Sequence, residues 1–529
     1  MDGAHWLVCE LKRRGVPFLA VLCGNGLDPL LAACADEGLR LVDTRNEQAA
    51  SYIADAYARL TGRMGVCAVS SAVAHVNGLA GVLNAYYDGA PLLMITGTSP
   101  SEVLGRGGFQ DLDHTALARP ICKHAEFVPQ AARLPQAFHH AWAAATSGRP
   151  GPVHLTITLD AWQGEVGDIK PRVAAALPTT PRAAADEEAL RTAATWLRAA
   201  QRPLIVAGSG LFHAQAGPAL RALIEAVSIP TVTPIWDRGV VDAPCDAFLG
   251  VIGAASGEPD LLARADLVIL AGARVDYRIG YLDSPPLAPE ARIMRIDGDA
   301  HEWQQGAPCD LALLGDPNTV LRQLLATLQA AGLPSHRAWL RLAQGVCEAF
   351  YTSLGRWTEE IHKGITGADI VQAINQTLPD DAILLVDGGN IGQWAHMRLC
   401  QHRYPAHWLT CGASGVVGWG VPGAMAARLA YPDRPVVLLS GDGSIGFALI
   451  ELASAARQQL PFVVVLADDQ AWGIVVSGQL KRRAQTVASR LGVINYVQVA
   501  EGLGALGVRV TTATEIGPAI RVALGESRP

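Results

Sequence analysis

The feature that most limits what this chain can become is a rhythm. Short apolar runs, each closing on glycine or a small polar residue, alternate with helix-length segments along almost the whole sequence. In the first third the runs are "PFLAVLCGNG", "LRLVDTRNE", "MGVCAVSS" and "APLLMITGT"; in the middle third they are "RPLIVAGSGL", "PTVTPI", "ADLVILAGAR" and "ARIMRIDGD". The last third has "AILLVDGGN", "PVVLLSGDGS" and "PFVVVLADD". Apolar runs of strand length between helical segments predict βα units, and hence an α/β fold with parallel sheets covered by helices. Runs that end in Gly, Asp or Asn gather polar groups at the carboxyl edge of each sheet, where open α/β sheets bind ligands.

Two stretches interrupt the rhythm. "EVGDIKPRVAAALPTTPRAAAD" (165–186) is rich in Pro, Ala and Thr and reads as a linker. Near 331–362, "AGLPSHRAW" opens a poorly alternating helical region before "TGADIVQAINQTLPDD". A chain of 529 residues exceeds one core. The expected division is a first domain at 1–165, a linker at 166–186, a middle domain at 187–335 and a last domain at 360–529. Each is expected to be an open, mostly parallel sheet flanked by helices. The final helical segment, "TEIGPAIRVALGES", is followed only by "RP". The last domain is therefore expected either to lack a closing strand or to have been cut short.

Composition removes several classes. Half the residues are apolar and 17% are charged, as in a compact soluble enzyme, and a net charge of −7 gives no reason to expect nucleic acid. The ten cysteines are scattered, with no C-x-x-C pair, which points away from zinc and toward a reduced, cytoplasmic setting. Charges interrupt the apolar positions of "MDGAHWLVCELKRRGVPFLAVL", so this segment is expected to be an amphipathic helix leading into a strand rather than a signal peptide or membrane span.

The chemistry concentrates in "GDGSIG" (441–446), which supports two incompatible readings. As a G-x-G-x-x-G fingerprint it would bring backbone to a nicotinamide dinucleotide's pyrophosphate, with Asp468 at the next strand end as the ribose clamp. Asp442 would then repel the phosphate beside it, and Asp468 falls later than the usual distance of about 20 residues. A bare strand-to-helix turn is the plain alternative. The metal reading uses the misfits. Asp442 and Asp469 end adjacent strands, the Ala471 carbonyl adds a third oxygen, and Mg²⁺ is commonly held by carboxylates together with phosphates. Gly441 and Gly443 would admit a diphosphate, with Ser444 near the helix start.

The GDG-S turn, the helix "ELASAAR" and a polar pair before Q-x-x-G together resemble the diphosphate site of thiamine-diphosphate enzymes. The resemblance implies Asp442, Asp469 and the Ala471 carbonyl as Mg²⁺ ligands. Two asparagines usually stand where this chain has Asp468–Asp469, a departure that would put an extra carboxylate on the metal. "DTRNEQAASYIADAYARLTGRMGV" is similar to the family's pyrimidine-binding segment and marks Glu47 as the carboxylic acid that hydrogen-bonds the aminopyrimidine and so drives loss of the thiazolium C2 proton. "NGLAGVLNAYYDGAPLLMITG", "GGFQDLDHTALARPICKHAEFV", "VDGGN" and "GVVGWGVPGAMAARLAYPDRPVV" resemble the acetolactate synthase branch, and so extend the likeness over nearly the whole chain. The branch implies an active-site glutamine at Gln110 and cofactor contacts at Asn77, Asn390, Gly415, Val417, Trp472, Gly473 and Ile474. Val417 stands where a larger apolar residue usually props the cofactor into its bent shape.

Departures bear on the substrate. The usual S-G-P-G turn is here "SAVA" (71–74), followed by His75; this histidine and His114 are read first as structural. Gly478 falls where a tryptophan sets the second-substrate preference of acetolactate synthases. "DDQAWG" is closer to benzaldehyde lyase, whose first-loop histidine is replaced by Gly26. "AGSGL" (207–211) leaves FAD or ADP in the middle domain open against a bare turn.

The resemblance implies a thiamine-diphosphate- and Mg²⁺-dependent carboligase or lyase acting on 2-oxo acids or 2-hydroxy ketones. Benzaldehyde lyase-like or 2-hydroxyacyl-CoA lyase-like cleavage is the near alternative. An NAD-dependent dehydrogenase and a non-catalytic cofactor-binding protein are the distant ones. Small-molecule substrates, no membrane, and a homodimer or homotetramer with active sites at the subunit interface are the matching expectations.

Overall fold

The computed structural model describes residues 1–167, 182–253, 259–283, 287–304, 306, 308–359, 364–399 and 404–529. Most of the expected linker at 166–186 lies outside these residues, as do 360–363 at the start of the expected last domain.

Three parallel sheets follow one another along the chain. The first contains β1 (Phe18–Val21), β2 (Arg40–Asp43), β3 (Gly65–Val69), β4 (Leu92–Thr98), β5 (His124–Val128) and β6 (Pro152–Thr158), in the order β2-β1-β3-β4-β6-β5. The second contains β7 (Pro203–Ala207), β8 (Thr231–Pro234), β9 (Phe248–Ile252), β10 (Leu267–Ala271), β11 (Arg292–Asp297) and β12 (Leu311–Leu314), in the order β12-β11-β10-β7-β8-β9. Among the described residues the third has four strands, β13 (Ile383–Asp387), β14 (Trp408–Thr410), β15 (Val436–Gly441) and β16 (Val463–Ala467), ordered β14-β13-β15-β16. Strands β3, β4, β6, β7, β10 and β13 are buried along their whole length, as parallel strands covered on both faces must be. The expected α/β class and three open sheets are what the chain forms. After the helix Tyr496–Gly502 no further strand joins the third sheet; the last helix, Ala513–Ala523, buries Ile516 and Ile520 in the core beside β13.

The first and last thirds share one apolar core. The helix Glu47–Thr61, capped by Asn46 and closed by Gly62 at φ 69°, lies against the helix Gly420–Ala430. Alanines on both helices (Ala50, Ala54 and Ala58; Ala424 and Ala427) allow this close approach. The helices meet over a buried charged junction that includes all three sheets' domains. Arg59 pairs with Asp55 and donates to the Thr410 carbonyl, while Arg238 from the middle third pairs with Asp88 and donates to the Arg59 carbonyl. Arg278 closes the network on Asp276 and Asp237. Removing one partner from such a buried set typically costs about 3–5 kcal/mol, so the junction holds the three units in one arrangement. No helix among the described residues is long and apolar enough to cross a membrane.

Candidate active site

Strand register builds the diphosphate end. β15 pairs with β16 so that Gly441 lies opposite Ala467, which brings Asp442 and the Asp468–Asp469 pair to the same carboxyl edge. On the other side β13 pairs with β15, and its following turn, Gly388–Gly389–Asn390, folds over "GDGS". A Cβ at Gly388 would lie 3.0 Å from the Gly441 nitrogen and 3.3 Å from the Ser444 Oγ. A Cβ at Gly473 would lie 2.7 Å from Asp469 Oδ2 and 3.2 Å from the Asn390 Cβ, and one at Gly389 would lie 2.9 Å from the Ile474 Cδ1. Asn390, Gly441, Asp442, Gly443, Ser444, Asp469, Ala471, Trp472, Gly473 and Ile474 therefore converge.

The electrostatics of this corner favour a cation. Burial, then the Asp469 carboxylate, push Asp442 up to about 6, against the backbone N–H groups of Gly443 and Ala471 that favour its charge. A divalent ion between the two carboxylates would reverse that repulsion. Asp468 and Asp469 each accept the N–H two residues on, from Gln470 at 3.3 Å and from Ala471 at 3.1 Å, and of the two Asp469 acts more strongly on Asp442; no group of three or more His, Cys, Asp or Glu among the described residues could hold a metal. The donor set that fits Mg²⁺ is thus two carboxylates and a carbonyl, leaving coordination positions for diphosphate oxygens and water.

The nicotinamide reading fails on the third glycine. In a dinucleotide fingerprint that residue permits close helix–strand packing. Here a Cβ at Gly446 would meet nothing nearer than 3.4 Å. Gly443 serves another purpose, because the Trp472 ring lies 2.7 Å from where its Cβ would be.

Several contributors have no local sequence signal. Asp387, at the end of β13, accepts N–H groups from Gly418 at 3.1 Å and from Gly420 at 2.9 Å, which fixes the turn carrying half-buried Val417. Burial raises its carboxyl to about 7 against those donors. Exposed Gly415, at φ 67°, lies beside Tyr277 of the middle third, whose hydroxyl donates to the Ala413 carbonyl. Tyr496 donates to the Asp442 carbonyl at 3.4 Å, and the Trp472 backbone N–H donates to the Ser489 carbonyl at 2.9 Å. Only the folded chain brings these partners together.

In the first third, Glu47 opens its helix half-buried, and its Oε2 accepts from Asn77 Nδ2 at 3.0 Å. Gln110, at φ 55°, accepts from Ser71 Oγ at 3.0 Å and Ser70 Oγ at 3.5 Å. Among the described residues no hydrogen bond joins these residues to the Asp442 corner. His75 is fully buried and faces Thr96 rather than a cleft.

The middle-third turn "AGSGL" does not fit a bound nucleotide. A Cβ at Gly208 would lie 2.5 Å from the Ala273 Cα, and one at Gly210 would lie 2.8 Å from the Gly272 Cα, so both glycines are consumed by backbone packing. The Ser209 hydroxyl donates to Asp237 and faces Asp88, two carboxylates that a phosphate would avoid.

Residues 1–117 match the family described as "Thiamine pyrophosphate enzyme, N-terminal TPP binding domain", residues 190–324 its central domain and residues 387–529 its C-terminal TPP binding domain. The chain is 32% identical over 509 residues to the acetolactate synthase isozyme 1 large subunit of Escherichia coli, covering 95% of this chain and 88% of the relative. It is 30% identical over 553 residues to the human 2-hydroxyacyl-CoA lyase 2, covering 97% of this chain and 86% of the relative. Against the probable acetolactate synthase large subunit of Methanocaldococcus jannaschii it is 29% identical over its whole length, covering 91% of the relative. With three sheets in the matching order and a carboxylate pair beside the GDG turn, the chain belongs to the thiamine pyrophosphate enzymes, in the branch that includes acetolactate synthases.

Proposed function

We propose that this enzyme makes or cleaves the bond next to a carbonyl in 2-oxo acids or 2-hydroxy ketones, with Asp442, Asp469 and the Ala471 carbonyl holding Mg²⁺ and the diphosphate. When bound, thiamine diphosphate supplies an acidic C2 carbon and an electron sink for the carbanion left after C–C cleavage. The chain's own residues do the rest. Glu47, held by Asn77, offers a carboxyl to a ring nitrogen; Gln110 orients the acyl donor's oxygen; Val417 supports the cofactor's bend; Gly441, Gly443 and Ser444 present backbone and hydroxyl groups to phosphate.

The carrying observation is the convergence of Asp442 and Asp469, which without a cation repel each other. A second observation supports a larger substrate than acetolactate synthesis needs. A groove of about 400 Å³, lined by Ile474, Val475, Gly478, Gln479 and Arg482, opens beside the diphosphate corner. It favours the 2-hydroxyacyl-CoA lyase-like or benzaldehyde lyase-like reading.

The assembly is a homodimer or homotetramer in which Glu47 faces the Asp442 corner of a second copy. Val73, Val76 and Phe109 in the first third and Phe447 and Ile450 in the last are exposed apolar residues that such a face would cover. All nine described cysteines are free thiols, in keeping with a reducing, cytoplasmic setting. The test is a thiamine-diphosphate titration with and without Mg²⁺, then a screen of pyruvate, benzoylformate, acyloins and 2-hydroxyacyl-CoA. Glu47→Gln should still bind cofactor but lose activity by about 100-fold or more. Metal-independent binding, or full activity in Glu47→Gln, would refute the assignment.

A further inference from the structure

Beneath the "SAVA" turn lies a buried cluster that the cofactor chemistry does not use. His75 and His154 both reach the Thr96 hydroxyl, at 2.9 and 3.0 Å. The His75 ring stacks edge-on against both His114 and His154, with centroids 4.9 and 4.8 Å apart. Burial lowers the basicity of all three imidazoles, taking His75 down to about 3, so the cluster is neutral at ordinary pH.

Its outward end meets the backbone. His114 Nε2 accepts the Ala72 N–H at 2.8 Å. Ala72 has φ 49° and ψ −108°, a conformation that suits glycine and strains any residue with a Cβ. It precedes the helix Val73–Asp88 with no side-chain cap; the Ser71 and Ala72 carbonyls accept the Ala74 and Val76 N–H groups at 3.3 and 3.0 Å, and the bond to His114 is the one that holds the Ala72 N–H. The neighbouring Ser71 hydroxyl then donates to Gln110 Oε1, while Asn25 donates to Ser71 Oγ at 3.3 Å. Gln110 is itself at positive φ and makes no hydrogen bond through its Nε2 among the described residues. Its amide is thus held by the oxygen and offered by the nitrogen.

We propose that His114 is a positioning residue for the acyl donor: by accepting the Ala72 N–H it holds the strained Ser71–Ala72 peptide that clamps the Gln110 amide oxygen and presents the amide N–H groups to a substrate oxygen. This role rests on the 2-oxo acid or 2-hydroxy ketone reading above. A neutral imidazole suits it, because a protonated one would turn a second N–H toward the Ala72 N–H. The strain explains why a buried side chain is needed where a glycine would hold the turn unaided.

Three variants test the clamp. His114→Leu removes the acceptor and should lower kcat/KM for the donor roughly 10- to 100-fold, mainly through KM, with thiamine-diphosphate affinity within about twofold of wild type. His114→Gln keeps an acceptor oxygen and should stay within about threefold of wild type. Adding Ala72→Gly to His114→Leu should restore most of the loss, because glycine adopts the turn without strain. Unchanged kcat/KM in His114→Leu, a parallel loss of cofactor affinity, or no rescue by Ala72→Gly would each overturn the proposal. Amide hydrogen exchange over residues 70–76 gives a readout independent of turnover. It should quicken in His114→Leu even if the wild-type chain turned over none of the screened substrates, an outcome that would refute the function and leave the clamp standing; unaltered exchange would overturn the clamp alone.

Discussion

"AGSGL" and "GDGSIG" look alike in sequence: each follows an apolar strand, opens a helix and places glycine on both sides of one residue. In the folded chain they are opposites. Around Gly208 and Gly210 a methyl group would meet the Gly272–Ala273 backbone at under 3 Å, so the glycines let two loops of the protein approach each other. At Gly441 the nearest atom to such a methyl is 3.9 Å away, and the residue between the glycines is a carboxylate set against a second carboxylate. One turn spends both glycines on backbone packing; the other gives Gly443 to the Trp472 ring and keeps the backbone at Gly441 uncovered for a ligand. What surrounds the glycines, rather than their spacing, separates a packing turn from a phosphate turn.

Substitutions should separate the two turns. The largest effect is expected for Asp442→Ala, which should weaken Mg²⁺-dependent thiamine-diphosphate binding about 100-fold or more by calorimetry, with the melting temperature of the cofactor-free protein unchanged or raised. Gly208→Ala should do the reverse. Backbone overlap should cost about 1–3 kcal/mol in denaturant unfolding, with cofactor affinity kept within about twofold. Gly441→Ala should leave unfolding unchanged and weaken the cofactor roughly tenfold, because only the bound diphosphate competes for that space. Stability loss at Gly441, or affinity loss at Gly208, would erase the distinction between the turns.

The smallest effect is a pH dependence. Asp442 titrates near 6 in the cation-free fold, above its ordinary value of 3.8. Between those values the folded state holds more protons than the unfolded one, so stability falls as pH rises through that range. Asp442→Asn should therefore be more stable than wild type at pH 7 without Mg²⁺, by on the order of 1 kcal/mol after solvent screening, and equal to it below pH 4. Matched unfolding curves at the two pH values check the sign.

Much of this was legible in the residues. Long apolar runs such as "PFVVVLADD" announced their strands, and the misfit of Asp442 within a dinucleotide pattern already pointed to a metal. The short strand Trp408–Thr410 has too little periodicity in three residues to be read, and β5, β6, β9 and β12 likewise carry no run that stands out in the sequence. Asp387, Tyr496 and Ser489 escaped for another reason: each reaches the site through a partner at least 17 residues away, as Ser489 does to Trp472, and local pattern holds no trace of such pairings. Asp468 and Asp469 are adjacent and chemically identical, and each accepts the N–H two residues on, from Gln470 at 3.3 Å and from Ala471 at 3.1 Å. What separates them is that Asp469 acts more strongly on Asp442.

That pair also offers the most direct measurement. Isothermal titration of thiamine diphosphate into Asp469→Ala and Asp468→Ala, each with saturating Mg²⁺, compares two carboxylates one residue apart. The metal–diphosphate assignment predicts that Asp469→Ala abolishes detectable binding while Asp468→Ala binds as wild type. Normal binding in Asp469→Ala, or loss confined to Asp468→Ala, would contradict it.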